Sequence, residues 1–157
     1  MSFSARYPSH VGQLVLLGSG AFVRDVRALW AVHESVKLRG WDKKGAEKWV
    51  TSGLVETLAE DHLSSLTEAA AAVEADLMTG CLRAMISAQY LEAARSLSVP
   101  ILVLRGDDDP FVSGDDAAIV TARSTNAKRI DLPQVGHWPH LEAPTECRAA
   151  ILGFLGQ

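Results

Sequence analysis

Only two cysteines, Cys81 and Cys147, occur in the 157 residues. That is too few for the disulfide framework that holds small secreted domains together. No apolar run approaches the ~18 residues of a membrane span. The opening Met1-Ser2-Phe3-Ser4-Ala5-Arg6-Tyr7-Pro8 contains no apolar stretch of signal-peptide type. Basic residues are outnumbered 15 to 19, for a formal net charge of −4. This argues against a surface that binds nucleic acid through bulk positive charge. No repeat or low-complexity tract stands out, since the Ala69–Ala72 run lies inside a helical pattern. The expectation is one cytoplasmic domain, 48% hydrophobic, with no nucleic-acid and no membrane partner.

What is present reads as alternating strands and helices. Leu14-Val15-Leu16-Leu17 is a continuous apolar run, preceded by Pro8 and Gly12 and followed by Gly18-Ser19-Gly20. That is the pattern of a strand buried on both faces of a parallel sheet. Ile101-Leu102-Val103-Leu104, between Pro100 and Gly106, repeats it. Lys128-Arg129-Ile130-Asp131-Leu132 alternates, ends at Pro133, and reads as a strand nearer the sheet edge. Between the first two strands, Phe22, Val26, Leu29, Trp30 and His33 recur at helical spacing, and Trp49, Val50 and Leu54 follow Gly40 and Gly45. Thr67 to Leu97 carries a helical period with Gly80 as its break. Asp115 to Arg123 and Pro144 to Leu155 complete the helices, Pro144 suiting a first turn. The order predicts an α/β fold with a parallel sheet of about three strands.

Ligands of such sheets bind at the carboxyl ends of the strands. The three strands are followed by Gly18-Ser19-Gly20, by Gly106-Asp107-Asp108-Asp109-Pro110-Phe111, and by Gly136-His137-Trp138-Pro139-His140. Alone, an Asp-Asp-Asp-Pro stretch reads as a solvated turn, and a Gly-His pair as an ordinary loop. On consecutive strand ends they read as an acid and a histidine that can meet. A carboxylate bonded to one imidazole nitrogen sets the tautomer and frees the other nitrogen as a base.

These residues resemble the second half of the α/β-hydrolase family. Val99 to Val112 looks like its penultimate strand with a Gly-x-x-Asp turn, which implies Asp109 as catalytic acid and leaves Asp107 and Asp108 as neighbours. Gly136 to Pro144 resembles the Gly-His-x-x-x-x-Glu-x-Pro segment, which implies His137 as the catalytic histidine. Residues from about 22 to 96 resemble the helical cap, within a single partial hydrolase domain over 1–157. The stretch Ala5 to Leu17 resembles the end of the nucleophile-bearing helix and its next strand. The resemblance therefore puts the Gly-x-Ser-x-Gly elbow before Met1, and no such motif occurs in the chain.

Three functional readings follow. In the first, the chain is the C-terminal portion of a serine-type hydrolase acting on an ester, lactone or carbon–carbon-bonded small molecule, its nucleophile lying elsewhere. In the second it is a minimal esterase with Ser19 as nucleophile. Leu17 stands where that reading needs a small residue, and the turn reads equally as pocket lining or a helix cap. In the third it is a non-catalytic module that binds a ligand or partner. Phe111 and Trp138 are candidate substrate-binding residues beside Ser19, with core packing the plain alternative. Trp30, Trp41 and Trp49 read as cap packing. Cys81, Cys147, His10, His33 and His62 lack the spacing of a nucleophile or metal site, and His137 with His140 is a weak metal pattern. No cofactor is implied. An unpaired outer edge on the first strand predicts a partner, either a second copy in a homodimer or a chain carrying the missing half.

Overall fold

The computed structural model describes residues 1–20, 25–87, 90–122 and 126–156. Its first helix α1 (Ser2–Arg6) and a short 3-10 turn (Pro8–His10) lead into strand β1 (Leu14–Leu17). Helices α2 (Val26–Arg39), α3 (Lys43–Thr51), α4 (Glu60–Ala71), α5 (Ala75–Ser87) and α6 (Tyr90–Arg95) follow. Strand β2 (Ile101–Gly106), helix α7 (Gly114–Ala122), strand β3 (Ala127–Leu132) and helices α8 (Pro139–Glu142) and α9 (Pro144–Leu155) complete the order.

The three strands form one parallel sheet in the order β1-β2-β3. Its central strand is the continuous apolar run, and all six residues of β2 are buried. Period-two alternation sends Ile101 and Val103 to one face, where Leu16, Leu97, Ala117 and Val120 pack with them. Leu102 and Leu104 go to the other, against Leu132, Val135, Cys147 and Phe154. Helix α9 covers this second face, while α7 lies against β2 and β3 and α6 packs between α1 and α7. The closing helix begins at Pro144 and ends at Leu155 as its sequence predicts.

Helices α2 to α5 form the insertion between β1 and β2, in which α2 packs on α5 and α3 on α4. Asp25 caps α2 by accepting from the Ala28 amide at 2.8 Å, and Asp42 caps α3 through the Gly45 amide at 2.8 Å. The Trp41 indole donates to the Ala70 carbonyl at 2.8 Å, which ties the start of α3 to the end of α4.

Several local expectations change. Strand β1 is less buried than expected: Leu16 is buried, while Leu14, Val15 and Leu17 are half-buried against the core clusters on the two faces, and among the described residues nothing pairs with its outer edge. Gly80 does not break a helix: α5 runs through it, and the break falls between Ala71 and Ala75. Open space beside Gly80 gives it no turn to make. The cap of α2 is Asp25, not the Gly18-Ser19-Gly20 turn. Phe22 and Arg123 lie outside the described residues. No described helix is long and apolar enough to cross a membrane.

Candidate active site

Parallel strands bring the turns after β1, β2 and β3 to one edge of the sheet. There the Asp109 carboxylate meets the His137 ring, with Oδ2 at 2.9 Å from Nδ1. The Asp109 side chain is fully buried and that of His137 is 21% exposed. A buried carboxylate is costly unless its oxygens are paired. Here Oδ1 accepts from the amides of Phe111 at 2.8 Å and Val112 at 3.0 Å. This leaves Oδ2 for the imidazole and fixes its direction.

The neighbouring acids have other work. Asp107 is exposed, and its carboxylate accepts from the Gln134 amide at 2.8 Å. Asp108 is also exposed, and its amide donates to the Val135 carbonyl at 3.1 Å. Together they lash the turn after β2 to the turn after β3. The contact is so close that a Cβ on Gly106 would lie 1.8 Å from the Val135 carbonyl oxygen.

Arg105 is 4% exposed at the end of β2. Its Nε donates to the Val112 carbonyl at 3.2 Å and its Nη2 to the Asp107 carbonyl at 3.1 Å. These two residues bracket Asp109, so one guanidinium braces the acid loop on both sides. Asp131 supplies its counter-charge at 3.5 Å and also binds Arg129. The hydrogen bonds from Arg129 hold the Asp131 carboxyl below the usual carboxylate range. Sequence reading passed over Arg105; the one signal was a charge directly after four apolar residues in a strand.

His137 is held as firmly as its partner. Its amide donates to the Gly53 carbonyl at 2.7 Å. Among the described residues its Nε2 has no hydrogen-bond partner, so the nitrogen opposite Asp109 is free. Phe111 and Trp138 set their rings edge-on to the imidazole, with centroids 5.0 and 4.7 Å away. The Trp138 indole is anchored by the Val50 carbonyl at 3.0 Å, which ties this loop to α3. Phe111 is exposed. Both therefore line the histidine; Trp138 also packs against the insertion.

Ser19 stands in the third turn. Its hydroxyl donates to the Leu17 carbonyl at 3.0 Å and makes no hydrogen bond to His137. Gly18 is the close neighbour: at φ +52, a Cβ there would lie 2.5 Å from the His137 carbonyl oxygen. Among the described residues no group of three or more His, Cys, Asp or Glu side chains that could hold a metal ion gathers. Burial and the charge of His137 lower the His140 pKa. Burial raises that of the Cys147 thiol, which sits in the core, while Cys81 is exposed; both are free.

No family model matches the chain. It is similar to the 3-oxoadipate enol-lactonase 2 of Acinetobacter baylyi, 21% identical over 148 residues that cover 92% of this chain and 55% of that protein. It is also similar to the 2-hydroxy-6-oxononadienedioate/2-hydroxy-6-oxononatrienedioate hydrolase of Paraburkholderia phymatum, 25% identical over 100% of this chain and 58% of that one. Among solved structures, the enol-lactonase from Burkholderia xenovorans superposes with a TM-score of 0.87 at 14% identity, over 99% of this chain and 60% of that chain. The chain thus spans a little over half the length of the relatives it matches. Its fold is the α/β-hydrolase fold, represented over about 60% of the length of that solved neighbour.

Proposed function

We propose that the chain carries the acid and base of a serine-hydrolase-type site, with Asp109 orienting His137 and the nucleophile supplied by a segment outside these residues. The observation that carries this is the buried Asp109 carboxylate, 2.9 Å from His137 Nδ1, with Nε2 unpaired among the described residues. In this arrangement the neutral ring keeps its proton on Nδ1. The Nε2 lone pair then takes the proton of an attacking hydroxyl and returns it to the leaving group. Asp109 stabilises the imidazolium formed in between. The substrate is an ester, a lactone or a carbon–carbon-bonded small molecule. The named relatives, a lactonase and a hydrolase of dienedioates, support that range. Phe111 and Trp138, beside His137, would border the substrate. The setting is cytoplasmic, in keeping with two free cysteines.

The Ser19 hydroxyl, turned back to its own chain at Leu17, gives no support to Ser19 as nucleophile. The test combines nitrogen-15 NMR of His137 with a fluorophosphonate probe and an ester and enol-lactone panel. The proposal expects the Nδ1–H tautomer in the wild type, its loss in Asp109→Asn, and no serine labelling on this chain alone. An Nε2–H tautomer in the wild type would refute the acid–base pair. Labelling of Ser19, with turnover lost in Ser19→Ala, would replace the proposal by the minimal esterase. Saturable ligand binding without turnover, even with a nucleophile-bearing segment added, would favour a binding module.

A further inference from the structure

Glu142 has a place in the structure that its motif does not explain. Its Oε2 accepts from the amides of Val55 at 2.8 Å and Gly136 at 3.1 Å, and its Oε1 from the Trp138 amide at 3.1 Å. Gly136 and Trp138 are the residues on either side of His137. Val55 belongs to the loop between α3 and α4, 87 residues away in the chain. One carboxylate therefore joins both flanks of the histidine to the insertion. Bonds from N–H groups to an ionised carboxylate are about twice as strong as neutral ones.

Two further bonds seat this part of the chain. Gly53 in the loop accepts from the His137 amide at 2.7 Å, and Val50, in the last turn of α3, accepts from the Trp138 indole at 3.0 Å. The fit admits no side chain at Gly53, where a Cβ would come within 2.8 Å of the His137 Cβ. No bond in this set reaches Asp109. The acid is held from the β2 side by its own turn, and the base from the insertion side.

We propose that Glu142 is a positioning residue that couples the seating of the α3–α4 loop to the placement of His137 against Asp109. His137 is then in working position only while that loop is down. This rests on the acid–base reading of Asp109 and His137.

The test is amide hydrogen exchange and imidazole NMR on the full chain. In the wild type, the Val55, Gly136 and Trp138 amides should share one opening rate, because one carboxylate holds all three. Glu142→Gln keeps the shape but replaces one acceptor oxygen by a donor. It should speed exchange at those three amides by about tenfold, with β2 amides such as Leu102 unchanged. The His137 Nδ1–H signal should broaden or shift in the same variant while the Leu102 and Leu104 amide signals of β2 stay in place, whereas a general loosening would move all of them. A His137 signal unchanged in Glu142→Gln would overturn the coupling. Should Glu142→Gln fail to fold, the wild type decides: opening rates that differ by more than about tenfold among the three amides overturn it. Asp109→Asn serves as the separate control. It alters the His137 signal while exchange at Val55 stays as it was, so failure of the latch and failure of the pair give different results.

Discussion

Replacing Arg105 by Met isolates the brace on the acid loop. Methionine keeps the unbranched stem, so little cavity opens and the loss is mainly polar. Two carbonyls lose their donor. The Val112 bond is buried, and the Asp107 bond partly so. A buried acceptor left unpaired costs about 1–3 kcal/mol, and a partly hydrated one less. Asp131 keeps Arg129, so the full cost of about 3–5 kcal/mol for orphaning a buried ion does not apply. The sum is a loss of about 2–4 kcal/mol, read as a lower urea midpoint with an unchanged slope. Arg129→Met is the internal comparison. It breaks a more exposed pair with Asp131, for which about 1 kcal/mol is the ceiling, and one bond to the Gly114 carbonyl. Arg105→Met should therefore be clearly the more damaging change, and it alone should alter the His137 NMR signal. Equal stability of the two variants, or Arg105→Met within about 0.5 kcal/mol of wild type, would refute this account.

Asp131 gives a prediction with a definite sign. Its folded-state pKa is depressed, chiefly by the Arg129 hydrogen bonds, so its stabilising contribution is present above the unfolded carboxylate value of about 3.9. That contribution fades as pH falls through the lower folded-state value. The urea-midpoint gap between wild type and Asp131→Asn should hold from neutral pH to about pH 5 and close in stronger acid. A gap that widens on acidification would contradict it. Among the described residues nothing pairs with the outer edge of β1, and this leads to a further expectation. Two copies should cover it, giving a dimer by light scattering at micromolar concentration, and Val15→Pro should dissociate that dimer. A monodisperse wild-type monomer would dispose of this idea.

The parts of the fold that were legible are those encoded by neighbouring residues. Four apolar residues between Pro100 and Gly106 read as a strand buried on both faces, and β2 is wholly buried. Alternation in Lys128–Leu132 marked an edge, and β3 lies there. Two strand-end turns carrying Asp109 and His137 could meet only if the strands ran parallel, and they do. Features set by distant partners were not legible. Strand β1 has the same apolar signature as β2, yet its burial depends on a neighbour that composition cannot supply. Gly80 looked like a break because glycine costs a helix about 1 kcal/mol. Tertiary packing of α5 on α2 outweighs that. Arg105 was hidden because a buried charge announces itself only through its partners.

The glycines carry the deeper lesson about the site. In sequence, Gly18 and Gly136 read as punctuation at the ends of strands, and Gly53 reads as nothing in particular. In the structure Gly18 and Gly53 crowd the His137 loop from different parts of the chain, and Gly136 lies in that loop against Gly53. A Cβ would strike the His137 carbonyl at Gly18, the His137 Cβ at Gly53, and the Gly53 carbonyl at Gly136. Only Gly18 among them has a positive φ, so for Gly53 and Gly136 the requirement is space and not backbone freedom. Two backbone segments thus close in on the His137 loop, and among the described residues nothing pairs with the His137 Nε2. A histidine free to change rotamer would have needed none of this, whereas one that must present a single nitrogen in a set direction needs such a cage. Local sequence could signal the acid and the base, because each sits in its own turn. It could not signal the cage, because Gly53 and Val55 belong to the insertion, more than eighty residues before the histidine they hold.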